Sequence, residues 1–261
     1  MRRFKSIIQI LVLALFFSCL SVTEGQGQGA FVPMGNRTIE SFVEAKKHLK
    51  KIYADNPVTF YCKAKFDSKG RVETPAGFTT PKYISRSKRI EWEHIVPAEN
   101  FGRIFAEWRN GHPACVDKKG KPFKGRKCAE KVNREFRLLQ ADMYNLVPAI
   151  GAVNALRSNY NFTEFTPQTV ENTFGSCPVK INNRKVEPPH YSKGMIARTY
   201  FYLETVCPSF KISKQQRRIL SLWNEQYPVD AWECQRIQRI AAIQKSENKI
   251  VMKQCKVQGF M

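Results

Sequence analysis

Seven cysteines follow residue 25, and the residues before it decide which compartment those cysteines meet. Arg2, Arg3 and Lys5 form a basic start, Ile7 to Leu20 is almost wholly apolar, and the polar stretch Ser21-Val22-Thr23-Glu24-Gly25 follows. That order is the pattern of a secretory signal peptide over 1–25, expected to be cleaved near Gly25. A membrane anchor fits less well, because the apolar run is shorter than the roughly 20 residues of a spanning helix. A lipid-modified Cys19 also fits poorly, since Phe16 stands three positions before it. No later segment is long and apolar enough to span a bilayer, so the mature chain is expected to be exported and soluble, either periplasmic or secreted. There Cys62, Cys115, Cys128, Cys177, Cys207, Cys234 and Cys255 are expected to form disulfides. Cys115 with Cys128 is the readiest pair, flanking the basic loop Val116 to Lys127. The other pairings cannot be read from sequence, and an odd count leaves a thiol over. A zinc site is weakly supported, with no CxxC and histidines only at 48, 94, 112 and 190.

The chain has 261 residues, enough for a sizeable core, and its 43% hydrophobic and 25% charged content is that of a globular protein. Charge is the departure: 43 Lys and Arg against 22 Asp and Glu give a formal +21. So large an excess points to an acidic partner, nucleic acid or an anionic surface, and away from a neutral small-molecule enzyme.

Organisation along the chain suggests one domain over 37–261 behind a Gly/Gln-rich linker at 26–36. Phe42, Val43, Ala45, Leu49 and Ile52 predict a surface helix over Ser41 to Tyr53. Asn56 to Tyr83 reads as short strand pieces broken by prolines and Gly70, and Ile90 to Val96 as a buried strand ended by Pro97. Val132, Phe136, Leu139 and Met143 predict one helix over Lys131 to Asn145. Ser213 with Gln216 and Asp230 with Glu233 form capping boxes for two further helices that close the chain. There is no internal repeat.

Of the four histidines, only His94 lies in an apolar strand beside a carboxylate, in Glu91-Trp92-Glu93-His94-Ile95-Val96-Pro97. Neighbouring strand residues point to opposite faces, so Glu93 and His94 share a site only at a strand end or an irregularity. The competing reading is a hydrogen-bonded structural histidine beside a solvated glutamate.

The longer pattern resembles the bacterial endonuclease I family. Arg86 to Ala98, Asp142-Met143-Tyr144-Asn145-Leu146-Val147-Pro148, Gly151-Ala152-Val153-Asn154 with Arg157-Ser158-Asn159, Ala197 to Tyr202 and Trp223 to Glu233 carry the likeness, in order, over essentially the whole mature chain. The resemblance implies an exported, sequence-nonspecific nuclease of α+β class, with a ββα-metal (His-Me finger) core, additional helices and disulfides. It implies that Glu93 and Asn145 hold a divalent metal, that His94 is the general base, and that Arg126, in Gly125-Arg126-Lys127-Cys128, assists the phosphate. The residues alone leave two of these roles open: Asn145 also suits the cap of a helix end, though the metal-ligand role is favoured, and Arg126 could be one more solvated cation among Lys118, Lys119, Lys121, Lys124 and Lys127. Tyr144 stands where many relatives have His, Cys62-Lys63-Ala64 lacks a second cysteine common in relatives, and Cys207 is an extra, so the family's disulfide map does not carry over.

The residue types suit phosphodiester hydrolysis. A neutral histidine takes a proton from water, and a hard cation on carboxylate and amide oxygens neutralises phosphate and leaving oxygen. Mg2+ is expected, with Mn2+ or Ca2+ as alternatives. Lysines and arginines spread over the chain, at Lys118-Lys119, Lys124 to Lys127, Arg217-Arg218 and Arg236 to Arg239, would grip phosphates of any sequence. The expected partners are therefore double- and single-stranded DNA, with RNA left open, bound by a monomer. For Arg217-Arg218 a solvated helix face is the favoured reading. A non-catalytic cationic DNA-binding protein explains the charge equally well but not the Glu93-His94 motif. A zinc metalloprotease is a poor reading, since Ala98 stands where HExxH needs its second histidine.

Overall fold

The computed structural model describes residues 35–166 and 170–261. The expected signal peptide, 1–25, lies outside the described residues, as does most of the 26–36 segment. Its last residue, Asn36, is buried and donates from Nδ2 to the carbonyls of Ile39 at 2.5 Å and Leu138 at 2.9 Å. Ser41 then caps α1 (Phe42–Ile52), accepting from the Glu44 N–H, and Ala45, Leu49 and Ile52 form its buried stripe. The strand pieces expected between Asn56 and Tyr83 reduce to one short pair, β1 (Lys65–Phe66) with β2 (Val72–Glu73). β3 (Ile90–His94) is the buried strand, followed by α2 (Ala98–Gly102) and α3 (Ala106–Asn110).

The helix expected over Lys131 to Asn145 is divided. α4 (Arg126–Val132) ends at Asn133, whose side chain caps α5 (Arg134–Gln140) by accepting from the Phe136 N–H. Asp142 then caps a single 3-10 turn, Met143–Asn145. Asn and Asp offer the backbone a side-chain partner in place of the next helical bond, and each break falls at one of them. Phe136, Leu139 and Met143 all reach the core across the breaks, which is why apolar spacing concealed them.

β4 (Leu146–Ile150) pairs antiparallel with all of β3, from Ile90 opposite Ile150 to His94 opposite Leu146. α6 (Gly151–Arg157) follows β4 directly and packs on both strands. Asn145 locks this unit: Oδ1 accepts from the Val96 N–H at 2.8 Å, and Nδ2 donates to the Val96 carbonyl at 3.0 Å. Its side chain therefore bridges two chain segments and does not cap a helix end.

β5 (Asn161–Phe162), β6 (Lys180–Asn182) and β7 (Lys185–Glu187) form a small sheet with β7 central. Four helices follow: α7 (His190–Val206), α8 (Lys214–Gln226), α9 (Ala231–Gln244) and α10 (Lys249–Val257). Ser213 and Asp230 cap α8 and α9 as expected, accepting from the N–H groups of Gln216 and Glu233. The return half of each box is absent, because Gln216 bonds the Phe162 carbonyl and Glu233 pairs with buried Arg198. α7 and α10 were not expected. α7 is buried on most of its surface, so it has no polar face for a periodicity to reveal.

The class is α+β, as read from the sequence. Cys115–Cys128 forms as expected, joined by Cys62–Cys177 and Cys234–Cys255, and among the described residues Cys207 is the unpaired thiol. One basic cluster needs correction. Arg236 is buried, donating to the carbonyls of Met143 at 2.7 Å and Leu146 at 2.8 Å, and Arg239 pairs with Asp55 at 2.5 Å. Arg217 and Arg218 lie on the exposed face of α8, Arg217 paired with Glu204.

Two expectations follow from this packing. Asn145→Ala strands the Val96 N–H and carbonyl without these partners, at about 1–3 kcal/mol for each buried group. Urea denaturation should show a loss of at least about 2 kcal/mol, and an unchanged midpoint counts against the bridge. Burial pushes the Cys207 thiol up to about 11. Thiol titration of the mature protein at pH 8 should therefore find none in the native state and one in denaturant; any other denatured count contradicts the pairing.

Candidate functional site

A cleft of about 590 Å3 opens beside the end of β3 and takes in Glu93, His94, Arg126 and Asn154. Strand alternation sends Glu93 and His94 to opposite sides, and their contacts follow it. Glu93 turns toward Tyr61 and Arg157, whereas His94 turns toward Phe42, Phe101 and the Gln140 carbonyl. The cleft wraps the strand end and reaches both.

His94 is tightly held. Its ring stacks on Phe42 with centroids 5.1 Å apart, and Nε2 lies 2.8 Å from the Gln140 carbonyl oxygen. A carbonyl only accepts, so Nε2 carries the proton and Nδ1 holds the lone pair. Burial, with help from the charges of Arg126 and Arg157, lowers its pKa from 6.5 to about 3. The imidazole is thus neutral at any pH near 7.

Glu93 is 2% exposed. Its Oε1 accepts from the Tyr61 hydroxyl at 2.9 Å and lies 3.2 Å from an Arg157 nitrogen. Its Oε2 is buried and has no hydrogen-bond partner among the described residues. Burial pushes this carboxyl up, against the pull of Arg157 and Tyr61. An orphaned carboxylate oxygen beside a cleft is a costly feature for structure alone.

Arg126 is the first residue of α4, half-buried in the cleft wall. Its Nε donates to Gln140 Oε1 at 3.2 Å, and its guanidinium lies 5.2 Å from the Phe42 ring centre. It is set apart from Lys118, Lys119, Lys121, Lys124 and Lys127, which are all exposed. The Cys115–Cys128 bridge ties the loop carrying those lysines to α4.

Asn145 does not join the cleft; it is fully buried and both ends of its amide are taken by Val96. Asn154 does join it, from the middle of α6, with Nδ2 donating to Glu91 Oε2 at 2.9 Å. Reading the sequence missed this residue. The available signal was a lone amide in the short helix Gly151-Ala152-Val153-Asn154-Ala155-Leu156, where propensity alone disfavours asparagine.

Tyr144 sends its hydroxyl to the Ser246 carbonyl at 2.8 Å and packs edge-on against Tyr202, and it does not line the cleft.

Residues 32–255 match the model of the family described as Endonuclease I. An extracellular deoxyribonuclease of Aeromonas hydrophila is 38% identical over 226 residues, covering 83% of this chain and 91% of that protein. A periplasmic deoxyribonuclease of the same organism is 35% identical over 230 residues, 85% of this chain and 90% of its own. Endonuclease-1 of Buchnera aphidicola subsp. Baizongia pistaciae is 35% identical over 255 residues, 95% and 94% of the two chains. Likeness of this extent runs through every element around the cleft, and the chain belongs to the endonuclease I family.

Proposed function

We propose that this protein is an exported, metal-dependent endonuclease that hydrolyses phosphodiester bonds in DNA without regard to sequence. Family membership carries the enzyme class. The relatives named as extracellular and periplasmic deoxyribonucleases support export and a DNA substrate. One observation carries the chemistry: a histidine held neutral, with its basic nitrogen fixed as Nδ1, lines the same cleft as a glutamate with an orphaned buried oxygen.

In this reading β3, β4 and α6 are the ββα core, and 37–261 is a single nuclease domain acting as a monomer. His94 Nδ1 takes the proton from the attacking water, and Nε2 stays bound to the Gln140 carbonyl, so the ring cannot turn as it becomes charged. Arg126 offers its guanidinium to the developing charge on the phosphate. Glu93 Oε2 fits a hard divalent cation, being a carboxylate oxygen that nothing else occupies. Asn154 fits as the amide ligand, since Glu91 engages its Nδ2 and leaves Oδ1. Asn145 does not fit, because its Oδ1 is already spent on Val96. When bound at Glu93 and Asn154, Mg2+, or alternatively Mn2+ or Ca2+, would supply charge neutralisation for the phosphate and leaving oxygen. The exposed lysines of the Val116 to Lys127 loop grip the backbone phosphates and weaken with salt, accepting double- or single-stranded DNA and leaving RNA open.

A plasmid-cutting assay at fixed low salt tests this reading. Wild-type mature protein should cut with Mg2+ and stop with EDTA, and His94→Ala should keep DNA binding while losing at least about a hundredfold in rate. Folded wild type that binds DNA yet never cuts under any divalent ion would make it a binding protein. Undiminished cutting by His94→Ala would remove the base assignment.

The titration of His94 is a separate check on the metal-free protein. Its 15N resonances should keep the neutral, Nε2-protonated pattern from pH 8 down to pH 5. The unfolded chain protonates this histidine near 6.5 and the folded chain only near 3. Its share of stability is therefore complete above 6.5 and lost progressively as pH falls toward 3. Protonation of the native ring at pH 6 contradicts the site geometry.

A further inference from the structure

Arg86 and Glu91 line up behind Asn154 and spend their polar atoms on one another. Arg86 Nε donates to Glu91 Oε1 at 2.8 Å, and its Nη2 donates to Oε2. Asn154 Nδ2 donates to that same Oε2 at 2.9 Å, and Arg89 stands 3.6 Å from Oε1. Both carboxylate oxygens are therefore taken.

This matters because a primary amide has two faces that exchange by half a turn. A carboxylate paired with arginine only accepts, so it selects the orientation with Nδ2 toward it and Oδ1 away. Among the described residues no hydrogen bond occupies the Asn154 Oδ1. The approach also depends on Gly151, three residues earlier on the same helix. A Cβ there would stand 2.8 Å from Glu91 Oε1 and 2.6 Å from the Arg86 carbonyl oxygen. Neither distance is tolerable, so any larger residue would displace the carboxylate.

We propose that Glu91, anchored by Arg86, is a positioning residue that fixes the Asn154 amide with Oδ1 free for the divalent metal. This rests on the reading of Asn154 as a metal ligand. Glu91 acts through Asn154 and does not touch the metal itself. Without it the amide is free to flip, and in half of its orientations it offers N–H groups where an oxygen is needed.

Mn2+ binding without DNA, measured from the paramagnetic resonance of the free ion, tests this on mature protein whose fold is checked by near-UV circular dichroism. Glu91→Ala should weaken Mn2+ about tenfold or more, the usual scale for losing a group that orients a ligand. The double variant Glu91→Ala/Asn154→Ala should bind no more weakly than Asn154→Ala alone. Glu91→Gln, which keeps an acceptor oxygen for Nδ2, should recover most of the affinity. If Glu91→Ala does not fold, Arg86→Gln frees the carboxylate without removing it and should weaken Mn2+ by a smaller factor. Unchanged Mn2+ affinity in folded Glu91→Ala or Arg86→Gln, with Asn154→Ala weakened, overturns the positioning role alone. So do losses that multiply in the double variant. Unchanged affinity in Asn154→Ala overturns the ligand reading and the positioning role with it.

Discussion

The cleft depends on one buried cation. Arg157, at the end of α6, is 1% exposed and faces the turn by which the chain leaves β3. Its guanidinium donates to the carbonyls of His94 at 2.9 Å and Ile95 at 2.5 Å, lies 3.2 Å from Glu93 Oε1, and covers the Phe162 ring at 4.6 Å. His94 is the last paired residue of β3 and Ile95 lies just past it. A buried ion pair adds little net stability over an apolar pair, but losing one partner commonly costs about 3–5 kcal/mol, because the other charge is left stranded. Arg157 and Glu93 are therefore bound to each other's presence. The pairing fixes Glu93 through Oε1 and leaves Oε2 without a hydrogen-bond partner among the described residues.

Burial sets the state of His94, and two cations reinforce it. A nuclease site needs positive charge for phosphate, yet its base must be uncharged to accept a proton. Arg126 and Arg157 each repel a proton from the imidazole, and of the two Arg126 stays partly open to the cleft. Phe42 lets the two kinds of group sit close together. One ring from α1 stacks on His94 and also faces Arg126 and Lys46, the latter at 4.8 Å. The aromatic face attracts the cations while excluding water from the histidine. α1, which reads from its sequence as a mere surface helix, thereby supplies a wall of the cleft.

Glu93 and His94 were legible because few residues of the chain can do this chemistry and because they sit in a long, ordered pattern. Arg126 was legible from that pattern only, and the fold explains it by placing the residue at the start of α4 and the lysines beyond it in solvent. Asn145 and Asn154 both stand in the quoted motifs, one before β4 and one after it, and the sequence offers no means to rank them. The fold separates them: Asn145 faces the backbone of Val96, whereas Asn154 lies on α6, the helix that packs on β3, and lines the cleft. Helix starts at Ser41, Ser213 and Asp230 were readable because capping is local. α7 was not, because a helix buried nearly all round shows no period, and the breaks at Asn133 and Asp142 were hidden by apolar residues that stay in phase with the core.

Charge, the feature that first suggested nucleic acid, turns out to divide by residue type. Several arginines are structural: Arg157, Arg198 and Arg236 are buried, each donating to backbone carbonyls, and Arg198 also pairs with Glu233. The rigid, fork-shaped guanidinium can satisfy several fixed acceptors at once, which a lysine ammonium does less well. The lysines of the Val116 to Lys127 loop have the opposite character, exposed and on flexible stems. Such groups can follow an uneven phosphate backbone without demanding one sequence. A net charge counted from the sequence mixes the two populations, so it overstates the binding surface. The disulfide at Cys115–Cys128 is where they meet, because it holds the mobile-charge loop against the helix whose first residue, Arg126, enters the cleft.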